Sequence, residues 1–260
     1  MARILAFHCH PDDIEFWMGG TMALLAEKGH EIHFAIMTGG EVGSASATTQ
    51  NIRTRRLLEA KQSADCIGAI FHYAGGHDLQ VEYNDFYRKQ SVRILREVSP
   101  DVVFAPPPSD YMIDHELVSL LVRNATFIAP VPNFDCGVPT TPTSKIPYLY
   151  YCDAAGGVDP FGRTLPLHGM VNVTTVLDTK IEMASCHKSQ SEWLKYFNGF
   201  DNYVASMVDM TQKCGRRAGI PFGEGFIQHL AMGHPTNNIL QAWLPEYYVS
   251  LKDENLVSSN

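Results

Sequence analysis

Apolar strand-like runs alternate with helix-like segments through the first 105 residues, and this rhythm constrains the fold more than any other feature of the chain. Strand patterns cover Ile4 to Phe7, Glu31 to Thr38, Ala69 to Ala74 and Asp101 to Ala105. Helical apolar spacing runs to about Lys28, then from about Ile52 to Ile67 and from about Asn84 to Val98. This βαβαβαβ order predicts an α/β fold, a Rossmann-like, doubly wound, mostly parallel sheet with helices on both faces. In the common 3-2-1-4 strand order the first and fourth strands are neighbours. The loops leaving their carboxyl ends then face one another at the switch point where such sheets bind ligands.

Those two loops hold the densest chemistry in the chain. The first reads His8-Cys9-His10-Pro11-Asp12-Asp13-Ile14-Glu15, and Pro11, which has no N–H for a ladder bond, helps to end the strand. One aspartate there is explained as a cap for the following helix; two beside a histidine are not. The second loop runs from Pro106 to Tyr111-Met112-Ile113-Asp114-His115 and opens a helix through Leu117, Leu120 and Leu121. Asp114 and His115 are therefore expected to meet His10 and Asp13. Two histidines and a carboxylate leave one position open on a tetrahedral zinc, as a catalytic site requires.

The Thr38-Gly39-Gly40-Glu41 loop follows the second strand, lacks Gly-x-Gly-x-x-Gly and carries an acid, which argues against dinucleotide binding. It reads equally as a connector or as a substrate-contacting loop. Arg53, Arg55 and Arg56 cluster in one helix, as a solvated face or with an arginine reaching the crevice. Residues 1–128 form the expected Rossmann-like core of a single domain, and 129–170 irregular excursions that frame a pocket. Residues 171–260 form an α/β extension carrying His187. Within these spans, Tyr148 to Cys152 and Val171 to Val176 read as strands, and Lys180 to Gln190 as a helix. Trp193 to Arg217 reads as helix interrupted at Asn198-Gly199, whereas Glu224 to Leu230 fits a strand or a packed helix. Asp253 to Asn260 is polar enough to fray.

A formal net charge of −8 with no basic stripe argues against nucleic-acid or anionic-membrane partners. No apolar run approaches a membrane span in length. Met1-Ala2-Arg3 leads straight into a strand, and the six cysteines include no Cys-x-x-Cys pair, so a reducing cytoplasm is the expected location. Cys9 and Cys186 each precede a candidate histidine, and packing explains both better than thiol chemistry does.

Taken together, His10-Pro11-Asp12-Asp13-x-Glu15 with Gly19-Gly20, the Thr38 to Glu41 loop, Arg56-x-x-Glu59-Ala60, Asp114-His115 and Lys180 to His187-x-Ser189-Gln190 resemble the PIG-L/LmbE-like family of zinc-dependent N-acetylglucosaminyl deacetylases. The matches occur in order over most of the chain. The resemblance implies one Zn2+ per chain, with Fe2+ or Co2+ as alternatives, held by His10, Asp13 and His115. It implies Asp12 as general base and His187 as the electrophilic or acid partner at the developing oxyanion. Asp114 would orient a histidine, His187 being the expected one. Arg56, Glu41 and Tyr111 are the implied substrate contacts, and Glu15 reads either as a brace of the ligand loop or as a direct participant. Members of such a family often assemble, which implies a homo-oligomer. The chain departs from the family at Met112, where a histidine is common.

The implied activity is hydrolysis of the acetamide of an N-acetylated amino sugar or glycoconjugate. Two alternatives stand beside it: an amidase cleaving a larger acyl group or thiol conjugate, and a non-catalytic carbohydrate-binding protein that retains the metal scaffold. Asp12 speaks against the last, because a pure binding site gives it no task.

Overall fold

The computed structural model describes residues 1–199 and 202–251, so the terminal segment expected to fray lies outside the described residues. One eight-stranded sheet runs through the molecule in the order β3-β2-β1-β4-β5-β7-β6-β8. Its parallel part comprises β1 (Arg3–His8), β2 (Glu31–Thr38), β3 (Ile70–Gly76), β4 (Val102–Ala105) and β5 (Tyr148–Cys152). β6 (Gly169–Asn172), β7 (Gly223–Gln228) and β8 (Tyr248–Ser250) extend it in antiparallel fashion. The expected 3-2-1-4 order is observed.

Alternation along the strands divides the core. Ile4, Ala6, Phe34, Ile36, Val102 and Phe104 face one layer, packed with Met18, Met22 and Leu25 of α1 (Asp13–Glu27), Ala60 and Ala64 of α2 (Thr49–Asp65) and Met183 of α5 (Leu177–Ser185). The alternate residues Leu5, Phe7, Ala35, Met37, Val103 and Ala105 face Val92 and Leu95 of α3 (Asp85–Val98) and Val118, Leu121 and Val122 of α4 (Ile113–Ile128). Burial on both faces explains why these strands read as continuous apolar runs. Side-chain caps set two helix starts: Thr48 accepts from Asn51 N, so α2 begins ahead of the apolar signal at Ile52, and Asn84 accepts from Tyr87 N.

Three expectations change in the C-terminal half. The strand expected over Val171 to Val176 stops at Asn172, whose Oδ1 accepts from both Thr174 N and Thr174 Oγ1, and Thr174–Val176 forms a 3-10 turn. Lys180 to Gln190 is not one helix. α5 ends at Ser185, His187 takes φ −83° and ψ 60°, and α6 (Lys188–Asn198) begins after it. The Pro-rich stretch 130–147 wraps Arg96, which donates to the carbonyls of Ala129, Val131 and Phe134, and none of its residues lines the cleft described below. Gly223–Gln228 resolves the undecided segment as a strand, and α7 (Tyr203–Arg216) and α8 (Ile239–Trp243) complete the fold.

Candidate metal centre

The loops after β1, β2, β3 and β4 meet over the carboxyl edge of the sheet, around a cleft of about 500 Å³. At its floor His10 Nδ1 lies 3.3 Å from Asp13 Oδ2 and 3.2 Å from His115 Nε2, and His115 Nε2 lies 3.4 Å from Asp13 Oδ2. A tetrahedral zinc with ligands at about 2.0–2.1 Å requires ligand atoms roughly 3.3 Å apart, so this triangle fits the ion. The loops expected to meet do meet.

Each ligand atom is aimed by what stands behind it. His10 Nε2 faces Asp78 Oδ1 at 3.1 Å and Asp114 Oδ2 at 3.7 Å, leaving Nδ1 for the centre. His115 Nδ1 faces Asp110 Oδ2 at 3.2 Å, leaving Nε2. Carboxylates placed on the far nitrogen fix the tautomer of a metal-binding histidine and raise its basicity. Asp114 thus serves His10, not His187 as expected, because the start of α4 lies over the β1 loop. Asp13 Oδ2 accepts from the His10 backbone N–H at 2.7 Å and lies 2.7 Å from His8 Nδ1. His8, Asp13 and His115 also form a compact donor group. Of this group only Asp13 lines the cleft, together with His10 and Asp12, and both His8 and His115 are buried behind it.

Charge in the centre is arranged for a cation. Burial disfavours a charged His10, while Cys9 and then the carboxylates of Asp114, Asp13 and Asp78 raise its pKa above the usual 6.5. Burial likewise opposes ionisation of Asp13, but His8 and His115 hold its carboxyl well below the ordinary range. The carboxylates gathered around His10 favour a cation at this place. Cys9 does not contribute a thiolate, since burial pushes its thiol up to about 12.

Asp12 stands apart from the triangle. It occupies the N-cap position of α1 at φ 102°, yet its side chain makes no cap bond. The helix-cap explanation of this residue therefore fails, and a non-glycine residue held in a left-handed conformation marks a constrained position. Its Oδ2 accepts from Tyr203 Oη at 2.7 Å, and Arg56 Nη2 lies 3.9 Å from its Oδ1. Burial and the adjacent Asp13 push its pKa up to about 6, against the pull of Arg56, His187 and Tyr203.

His187 departs from expectation. It is 1% exposed, does not line the cleft, and neither ring nitrogen makes a hydrogen bond. Its Nε2 lies 3.2 Å from Glu15 Oε1, which accepts from Ser63 Oγ. Burial lowers the pKa of His187, but Glu15 and Asp12 overcome this and raise it. Glu15 thus contacts this histidine, where bracing of the ligand loop or a direct role was expected. α6 is anchored nearby by Glu59, which accepts from Ser189 N and Oγ, and by Arg55, bidentate to Glu192 at 2.7 Å. Fully buried Lys180 donates to Glu224 Oε1 at 2.6 Å and to the Phe16 carbonyl, and Glu224 accepts from the N–H groups of Gly20 and Thr21. This pair joins α1, α5 and β7.

Of the expected substrate contacts, Arg56 and Tyr111 line the cleft and Glu41 does not. The Glu41 carboxylate turns to Arg53 and His77, because the Gly39-Gly40 turn carries it away from the opening. Arg56 also donates to the carbonyls of Gly40 and Pro11, tying two loops together. Gly40 permits this: its φ is 62°, and a Cβ there would lie 2.5 Å from the Arg56 guanidinium. Sequence reasoning missed Asp78, Asp110 and Tyr203. Asp78, just past β3, carried a positional signal; Tyr203 carried none.

Residues 5–126 match the PIG-L family model, described as GlcNAc-PI de-N-acetylase. Diacetylchitobiose deacetylase of Thermococcus kodakarensis is 25% identical over 249 residues, covering 88% of this chain and 85% of that protein. The structure of N,N'-diacetylchitobiose deacetylase from Pyrococcus horikoshii shares the fold, with a TM-score of 0.74 at 24% identity over 88% of this chain and 84% of that one. 4-Oxalmesaconate hydratase of Pseudomonas putida is 27% identical over 143 residues, covering 51% of this chain and 55% of that protein.

Proposed function

We propose, from the match of residues 5–126 to the PIG-L family model and the likeness to diacetylchitobiose deacetylase, that the chain is a metal-dependent hydrolase removing acetate from an N-acetylated amino sugar or glycoconjugate. One observation carries the reading: His10, Asp13 and His115 form a three-donor triangle, and Asp12 stands beside it, uncommitted to those donors and open to the cleft. When bound, zinc would supply Lewis acidity and a water acidic enough to act as nucleophile near neutral pH.

The protein's own groups do the rest. Asp12 accepts the proton of the attacking water and returns it to the departing amine, which must be protonated to leave. Tyr203 aims the Asp12 carboxylate by donating to Oδ2. Tyr111, whose ring meets His115 edge-on at 5.5 Å, brings a phenolic donor to the cleft for the carbonyl oxygen. His187, whose pKa Glu15 and Asp12 raise against burial, acts on Asp12 through the field. All six cysteines are free, and we place the enzyme in the cytoplasm. Among the described residues no helix is long and apolar enough to cross a membrane.

The hydratase relative supports a second reading, water addition to an unsaturated acid by the same base. Zinc-reconstituted protein assayed for acetate release from N-acetylglucosamine and its glycosides tests the first reading directly. Release that is lost in Asp12→Ala supports it. Zinc-loaded protein that frees no acetate but hydrates an unsaturated dicarboxylic acid would overturn it.

A further inference from the structure

The cleft is larger and more apolar than an acetamide and one sugar ring require. Its outer wall is the lining face of α6, with Gln190, Trp193, Leu194 and Phe197 at helical spacing. From Gln190 to Phe197 this face runs about 10 Å at about 1.5 Å per residue. Trp193 stacks on Phe197 with centroids 5.1 Å apart and an interplanar angle of 23°. Phe197 remains 67% exposed although it lines the cleft, so a large apolar surface stands open beside a polar centre. Such a surface, continuous with a reaction site, marks a place for a ligand.

The chemistry of the reaction says which part of the substrate lies there. Asp12 must reach the amine nitrogen to return its proton, so the amine component occupies Asp12's side of the centre. Tyr203 binds Asp12 on that side, and Phe16, with its ring 5.0 Å from that of Tyr203, continues the apolar lining. The acetyl group needs none of this length. Building on the deacetylase reading, we infer that the substrate is an amino sugar bearing an aromatic aglycone, which stacks on the Trp193–Phe197 platform of α6. Gln190 lines the cleft on the same helix, and its Oε1 is buried without a hydrogen-bond partner.

The test titrates zinc-loaded wild type and Phe197→Ala calorimetrically with the phenyl and methyl glycosides of N-acetylglucosamine, and follows acetate release from both. The phenyl glycoside binds wild type about tenfold more tightly than the methyl glycoside, and the ratio narrows toward one in Phe197→Ala. Because Phe197 is largely exposed, this substitution leaves the core intact; Trp193→Ala should narrow the ratio as well. Equal affinities in wild type overturn the inference. So does a preference for N-benzoyl over N-acetyl methyl glycosides that Phe197→Ala removes, since the platform would then hold the acyl group. A preserved aryl preference without acetate release from either glycoside supports the platform and overturns the hydrolase reading alone.

Discussion

Tyr203 and Asp12 lie 191 positions apart in sequence, and the phenol donates to the carboxylate at 2.7 Å inside the protein. This bond stabilises the ionised form of Asp12, the form a general base needs. Hydrogen bonds to charged groups are worth about 1.5–3 kcal/mol. Tyr203→Phe is therefore expected to lower kcat about tenfold or more and to move the acid limb of the rate–pH profile upward, with metal content unchanged. An unshifted profile would remove Tyr203 from the mechanism.

Asp12 itself gives a sharper outcome. Asp12→Ala should abolish turnover yet retain about one metal ion per chain, because the triangle of donors does not include it. Metal analysis of the purified variant, beside an acetate assay, separates loss of base from loss of site.

Metal binding should be visible as stability. A ligand that binds the folded chain alone at about a hundredfold excess over its Kd stabilises by roughly 2.7 kcal/mol. Zinc should raise the Tm of wild type and leave that of His115→Ala unmoved. A zinc response that survives His115→Ala would move the site to other donors.

The Glu15–His187 pair predicts a pH window. His187 has a raised folded pKa, so its contribution is complete below the ordinary 6.5 and is lost as pH climbs through the folded value. Glu15 is opposite: burial opposes its charge but His187 holds its pKa below the ordinary 4.5, so its contribution is complete above that value and is lost as pH falls through the folded one. The stability gap between metal-free wild type and His187→Gln, measured by denaturant titration, should be widest between 4.5 and 6.5 and should shrink toward alkaline pH. A gap independent of pH would mean that the pair carries no charge.

Lys180→Met should destabilise by about 3–5 kcal/mol, since Glu224 would be left as a buried charge without its cation. Adding Glu224→Gln in the same chain should recover part of that loss in urea unfolding. Equal losses in the single and double variants would show that packing rather than charge decides the site.

Legibility in the sequence followed physical locality. The parallel core was readable because β1, β2, β4 and β5 are buried on both faces, and strand order then brought His10 and His115 together without further information. The C-terminal half was harder. The run Val171-Asn172-Val173-Thr174-Thr175-Val176 has every β-forming property, yet one side-chain turn at Asn172 ends the strand. Gly223-Glu224-Gly225 hides a strand because its acid is needed inside, opposite Lys180. Asp78 and Asp110 belong to loops whose path, not their composition, aims them at His10 and His115. The contact of His187 with Glu15 and its burial left no mark on the sequence.

All three donors of the proposed centre lie before residue 116, whereas Tyr203, His187 and the α6 face come after residue 186. On the proposed reading, capture of the ion and control over what it acts upon are written in separate stretches of one polypeptide. Drift in the later stretch can redirect the enzyme toward a new bond or a new leaving group while the earlier one goes on holding the same metal.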